Sequence, residues 1–249
     1  QWLTGPIIKP TLAIACGLIL FLLLPYFRAE LSYQQSLDAL SQNQPQAAYQ
    51  KNLSAIQFFP YKDSYHLTLS QISLAWANAL SQNSPLSTEQ KTLVGQLLGQ
   101  AINQAKLAVT LAPNKASHWE NLGIIYKNLI GVAQDADRWS LAAFNSASGL
   151  NPASPILQLE IGGVYFTQKD YEKAERFFQN SLFLKKDYSN GFYNLALSQH
   201  AQGKLNQAKE SLKQTISLTT PGSTDFQNAQ KQLSLWNQEQ ATSSSQLSP

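Results

Sequence analysis

The side chains from which acid–base or metal chemistry would have to be assembled are three histidines, His66, His118 and His200, and one cysteine, Cys16. Metal ligation and proton transfer both need donors at short, recurring spacings, and no carboxylate stands at a metal-ligand spacing beside any of these histidines. They are therefore expected on the surface or in turns. The single cysteine excludes an intrachain disulfide and any cysteine-based metal site. Most of the apolar run around Cys16 follows it, the reverse of a lipoprotein signal, so it reads as small helix filler. There is no Gly-rich phosphate loop, no Gly-x-Ser-x-Gly elbow and no Cys/His pair. Gly162-Gly163 falls in a helical pattern, where close packing rather than phosphate binding is expected. The chain is expected to be non-enzymatic, with no cofactor and no metal.

Two charged clusters, Glu172-Lys173-Glu175-Arg176 and Lys185-Lys186-Asp187, read as solvated helix faces or ends. Asn52-Leu53-Ser54 has the form of a glycosylation acceptor but lies in a helical pattern, and it is given no role. Charged residues make up only 13% of the chain and the net charge is +3. Nothing resembles the basic, aromatic-studded stripe of a nucleic-acid groove, so no nucleic-acid partner is expected. A weakly charged surface instead favours close packing of like subunits.

The elements that would position any site begin with "PTLAIACGLILFLLLPYF", residues 10–27, apolar on every helical face. Residues 11–27 carry no charge and as a helix would span about 25 Å, the short end of a membrane-crossing length. Leu12, Ile14, Leu18, Leu20, Phe21, Leu23 and Leu24 are the residues expected to meet lipid or another protein. Lys9 and Arg28 flank the run evenly, and Trp2, Tyr26 and Phe27 suit the two interfaces. The sequence around Tyr26 to Ala29 is not a signal-peptide cleavage site. A chain starting at Gln1 rather than Met is expected to be a processed product or an internal piece of a longer one.

Beyond Glu30 the periodicity is that of short amphipathic helices separated by Pro- or Asn-containing turns, with no alternating strand pattern. Self-similarity follows: "WENLGIIY" from Trp119, "QLEIGGVY" from Gln158 and "FYNLALSQ" from Phe192 align on their small residues Gly123, Gly162 and Ala196. Gly162 and Ala196 lie 34 positions apart, and Ala174/Phe178 recur as Ala208/Leu212 at the same offset. The unit of Trp119 carries extra residues around "IGVAQ" in the turn before its second helix, where lengthening costs little.

These residues resemble the tetratricopeptide repeat family. Trp119, Leu122, Gly123, Tyr126, Phe144, Ala147 and Pro152 match its pattern, as do Gly162, Tyr165, Ala174 and Phe178 in the next unit. Ala196 and Leu212 depart from it, standing where Gly and an aromatic are common. Endings such as "LSAIQFFP" with Ala55 and "AKLAVTLAP" with Ala105 carry a fainter version upstream.

The expected architecture is all-α: a right-handed helical-repeat solenoid of about five such helix pairs plus a capping helix, preceded by an apolar N-terminal helix. The boundaries are a hydrophobic helix over 1–29, divergent units over 30–113 with an insertion near 82–93, three clearer units over 114–220, a capping helix over 221–240 and a polar, flexible tail over 241–249.

The resemblance implies a concave groove lined by the first helix of each unit. Counting from the small residues places Ser117, Glu120, Ile124 and Lys127, then Ile156, Leu159, Gly163 and Phe166, then Asn190, Tyr193, Leu197 and His200 on it. Ile124, Lys127, Ile156, Leu159, Phe166, Tyr193 and Leu197 are the expected partner contacts. They are mainly aliphatic and aromatic, which suits an apolar helix.

Two readings of function follow. In one, the chain self-assembles into a cell-surface or extracellular filament, the apolar helix of each copy buried by repeats of its neighbours. Burying on the order of 1,000 Å² at about 25 cal/mol per Å² gives tens of kcal/mol gross for such a contact. In the other, residues 10–27 span a membrane and the repeats recruit a partner protein on one side. A variant makes the chain the C-terminal part of a larger membrane protein. Both readings entail membrane contact through residues 10–27, at least during export.

Overall fold

The computed structural model describes residues 8–82 and 85–246, with side chains described within these except for 8–15, 19 and 242–246. All elements among the described residues are helices. The chain forms two compact units, Gln1–Pro113 and Asn114–Pro249.

The first unit holds α1 (Ile8–Ser41), α2 (Pro45–Phe58), α3 (Asp63–Ser81) and α4 (Thr88–Leu111), with α1 packed on α2 and α3 on α4. The contact between α1 and α2 is a seam of small residues: Ala29, Ala39, Ala48 and Ala55 are buried, with Tyr65 and Ile72 of α3 closing over them. Ser36 spans the seam by donating to the Ala48 carbonyl at 2.8 Å.

Three sequence-based boundaries move. The boundary expected at residue 29 is crossed by α1 without a break, because "RAELSYQQSLDALS" contains no Gly or Pro and its alanines face α2. The helix ends at Ser41, and Asn43 in the turn just beyond it takes the left-handed conformation, with a φ of 57°, that commonly follows a helix end. Its neighbour Gln44 donates back to the Ala39 carbonyl at 2.9 Å. The C-terminal half of α1 is thus the first helix of the first repeat.

The insertion expected near 82–93 shrinks, since α4 begins at Thr88. Ser87 and Gln90 form a reciprocal capping box: the Ser87 hydroxyl accepts from the Gln90 amide at 3.3 Å and the Gln90 side chain accepts from the Ser87 amide at 2.9 Å. The tail expected from residue 241 also shortens. The last helix, α11, runs over Thr224–Gln246, because residues 241–246 contain no Gly or Pro to end it; residues 247–249 lie outside the described residues.

The second unit holds α5 (Ala116–Asn128), α6 (Ala136–Leu150), α7 (Pro155–Thr167), α8 (Tyr171–Leu184), α9 (Ser189–Ala201), α10 (Leu205–Leu218) and α11. Helices α5/α6, α7/α8 and α9/α10 are consecutive packed pairs. The extra residues near "IGVAQ" fall in the α5–α6 connection, as their position in a turn requires.

A small residue on the first helix of each pair faces a large one on the second. A β-carbon added at Gly123 would sit 2.6 Å from the Phe144 ring, and one at Gly162 would sit 2.6 Å from Phe178. In the third pair, Ala196 and Leu212 are both fully buried in one cluster. The departure seen in the sequence is compensated: a larger small residue meets a smaller large one, so volume is conserved. Ala147, Ala174 and Ala208, on the second helices, are also fully buried.

Candidate functional surfaces

The first helices of the second unit's pairs, α5, α7 and α9, carry the expected groove residues, and most of those are used for packing. Leu159 is only 7% exposed and belongs to a core cluster with Ala174, Phe178 and Leu195. It is a core residue, because one helical position away from the groove the surface meets the next repeat. Ile124 packs against the cluster of Phe144, Ala147, Leu157, Ile161 and Val164. Phe166 leans on the Leu159 cluster, and Tyr193 and Leu197 on that of Ala196 and Leu212. Ile156 keeps an exposed side chain, at 46%.

The remaining expected contact, Lys127, reaches from α5 to α7, where its ammonium donates to Glu160 at 2.7 Å. Gly163 leaves room for it: a β-carbon there would lie 3.1 Å from the Lys127 nitrogen. Burial, with the Glu160 carboxylate nearby, raises the Glu120 carboxyl above its ordinary value. Glu160 escapes a reading from sequence because groove positions are counted by transferring one register, and Glu160 lies one residue beyond it. The α5–α7 surface therefore carries a Lys127–Glu160 ion pair beside Glu120, two of whose three charged residues the groove count places there.

A second concavity, about 400 Å³, opens at the start of α9 and brings Asn190 and Tyr193 together with Ser189, Thr215, Thr219, Asp225 and Asn228. Its polar lining comes from α9, α10 and α11, and the sequence pattern carries no signal for the residues of the last two.

The repeat-defining aromatics pack locally. Trp119 lies against the Phe144 cluster, Tyr126 stacks on Trp139 with ring centres 6.3 Å apart, and Tyr165 stacks on Phe177 at 5.4 Å.

Two of the three histidines expected at the surface or in turns are buried, and the third, His200, is half-exposed. His66 is buried, and its Nε2 donates to the Pro60 carbonyl at 2.7 Å, since a carbonyl can only accept. His118 is buried as well. His200 stacks on Trp236 with centres 4.5 Å apart and reaches Glu239 at 2.9 Å. All three helical positions face packed neighbours, which the lack of nearby carboxylates in sequence could not reveal. Asn52 is fully buried, so the acceptor side chain of that tripeptide is inaccessible in the folded chain. Glu175, from a cluster read as solvated, is buried too, receiving Gln199, Gln202 and Lys204 from the next repeat, the last at 2.7 Å.

The other surface is the N-terminal part of α1. Leu18, Leu20, Phe21, Leu22, Leu23 and Leu24 are all exposed, Leu20 at 63% and Phe21 at 72%. Cys16 is exposed beside them. Leu12 and Ile14 lie in the helix, and their side chains are outside the described residues. Among the described residues α1 is the helix long and apolar enough to cross a membrane. Pro25 sits inside it and leaves one helical carbonyl without its usual donor.

No family model matches the chain, and no curated protein matches it. Solved structures do. The chain is similar to TTC0263, a thermophilic TPR protein in Thermus thermophilus, with a TM-score of 0.62 and 18% identity over 83% of this chain and 99% of that one. It is similar to PilW, a widely conserved type IV pilus biogenesis factor, with a TM-score of 0.65 and 17% identity over 84% and 85%. A third likeness is to YrrB, a TPR protein with an unusual peptide-binding site, with a TM-score of 0.53 and 14% identity over 80% and 90%. At these identities the likeness establishes the fold, that of the tetratricopeptide repeat.

Proposed function

We propose that this chain, a tetratricopeptide-repeat protein in fold, is a non-enzymatic scaffold held at a membrane by α1, its repeats recruiting a partner protein on one side. The observation that carries this reading is the shape of α1: one helix is apolar and exposed at its described side chains between Cys16 and Leu24, then packs into the first repeat from Ala29 onward. Apolar side chains exposed on successive positions of this stretch, among the described residues, suit lipid, which contacts every face alike. The groove supports the same choice. Its apolar side chains are largely used within the unit, leaving few bare ones to receive a neighbour's helix. The α5–α7 surface, with Glu120, Lys127 and Glu160, and the polar concavity beside Tyr193 suit a hydrophilic partner segment.

A second reading, a cell-surface or extracellular filament of copies, draws on outward apolar side chains of the second unit, Val132, Trp139 and Phe183, together with the low charge.

The test is flotation of the full chain with lipid vesicles, alongside electron microscopy after detergent is withdrawn without lipid. Co-flotation that is lost in the Leu20→Lys/Leu23→Lys variant, with helicity by circular dichroism unchanged, is expected. Regular fibres formed without lipid would favour the filament. A chain that stays dispersed without detergent and does not float would overturn both.

A further inference from the structure

We infer that the turn between α2 and α3, residues 58–62, is a lipid-interface contact that seats the first repeat in the headgroup layer beside the end of the α1 span. The inference rests on the membrane reading above and adds to it a surface outside α1.

The turn reads Phe58-Phe59-Pro60-Tyr61-Lys62 and lies against the last turn of the apolar stretch. Phe59 meets Tyr26 edge to face with ring centres 5.5 Å apart, and Tyr61 meets Phe59 in the same way at 5.8 Å. Tyr26 and Phe27 of α1 continue this line of rings. Inward, the turn is fixed. Lys62 donates to Glu30 at 2.6 Å and lies 4.9 Å from the Tyr65 ring centre, with Tyr26 and Tyr33 beside it. Tyr65 donates to the same Glu30 oxygen at 2.8 Å, and His66 holds the Pro60 carbonyl.

Outward, the same turn shows aromatic surface. Tyr61 is 74% exposed, and Phe58 and Phe27 are exposed as well. A rigid turn that displays large apolar rings to solvent leaves them uncovered at a standing free-energy cost. Aromatic residues with a polar edge, gathered at the end of an apolar helix, match the interface between hydrocarbon and headgroups. The placement agrees with this occupant. The rings begin where the charge-free stretch ends, and the exposed Arg28 stands at the same level, where phosphate groups would lie. The only cation of the turn itself, Lys62, is turned away to Glu30, so what the turn presents outward is ring surface.

The experiment uses the full chain reconstituted in phosphatidylcholine/phosphatidylglycerol vesicles, with Cys16→Ala as background. A polarity-sensitive dye is attached at Tyr61→Cys and, separately, at Leu20→Cys, and nitroxide lipids quench it from the headgroup region or from the acyl-chain end. At position 61 the fluorescence loss is expected to be greater with the headgroup nitroxide, and at position 20 greater with the acyl-chain nitroxide. Unlabelled chain is expected to show slower amide hydrogen exchange over 58–62 in vesicles than in detergent-free solution. If position 20 is quenched while position 61 is not and exchange over 58–62 is unchanged, the turn contact is overturned and the anchor stands. If neither position is quenched and the chain does not float, the membrane reading itself fails. If a second copy covers the turn, exchange slows with protein concentration in the absence of lipid, and the lipid contact is overturned.

Discussion

The α1/α2 pair and the α7/α8 pair both bring two helices into close contact, but through different side chains. In α7/α8 a glycine faces a ring: Gly162 leaves the space that Phe178 fills. In α1/α2 small residues face small residues, with Ala29, Ala39, Ala48 and Ala55 buried and Ser36 bonded across the seam. The ring-filled pair gains its stability from one large buried side chain, whereas the seam gains it from many small contacts and one hydrogen bond. A seam of this kind also lets α1 remain one continuous helix, which is what joins the exposed apolar stretch to the first repeat.

The largest test of that difference is truncation. Phe178→Ala removes a fully buried ring and is expected to cost about 3–5 kcal/mol. Ser36→Ala removes only the bond to the Ala48 carbonyl and is expected to cost about 1 kcal/mol. Denaturant melts followed by circular dichroism measure both. Equal costs would mean that the two pairs are held together in the same way.

Overpacking is the next test. Ala48→Leu forces a large side chain into the seam and is expected to destabilise by about 1–3 kcal/mol. The exposed neighbour Ala47→Leu is expected to change stability by less than about 0.5 kcal/mol. If Ala48→Leu is as silent as Ala47→Leu, the seam is not close-packed.

The same contrast explains what could be read from the sequence. A glycine and an aromatic at fixed spacing are conspicuous, so Gly123, Gly162, Phe144 and Phe178 reveal the repeat. Alanine and serine are common everywhere in this chain, so the first pair leaves little signal and a boundary is expected at residue 29, where composition changes but conformation does not. The capping box of Ser87 and Gln90 is legible by its spacing, yet the Ser and Pro around it suggest a loop. Groove positions fare worst. A shift of one helical residue exchanges lining for core, as Leu159 and Glu160 show. Burial of His66, His118 and Glu175 depends on which neighbour lies opposite, and that is a property of the stacked pairs rather than of any local pattern.

The third pair lets the comparison be made within one fold. If Ala196 and Leu212 are a volume-conserving replacement for Gly and Phe, then Ala196→Gly and Leu212→Phe are each destabilising, the first by about 1 kcal/mol through helix propensity alone. Together they rebuild the Gly–Phe arrangement, and a coupling of about 1 kcal/mol in their favour is expected from the double-mutant cycle. Additive effects would mean that the two side chains do not share one space.

The smallest expected effect concerns two carboxylates on neighbouring repeats whose surroundings push them in opposite directions. For Glu175, burial works to raise the carboxyl, but donation from Lys204, Gln202 and Gln199 outweighs it, and the net shift is downward. A lowered folded value contributes stability above the unfolded value, near 4.3, that is lost as pH falls through the folded value. For Glu120, burial and then the Glu160 charge raise the carboxyl. Its contribution has the opposite sign: stability is fully present below the unfolded value and is lost as pH rises through the folded one. Glu175→Gln is therefore expected to flatten the acid limb of the stability–pH curve, at a cost of about 1 kcal/mol at neutral pH. Glu120→Gln, by contrast, is expected to leave the acid limb in place and to raise the midpoint slightly at neutral pH. Thermal melts between pH 3 and 7, as rough limits set by those carboxylate values, read both slopes. Glu175→Gln leaving the acid limb unchanged would mean that the bonds from the next repeat do not hold Glu175 ionised. A lower neutral midpoint in Glu120→Gln would mean that its carboxylate is stabilised rather than disfavoured on the α5–α7 surface.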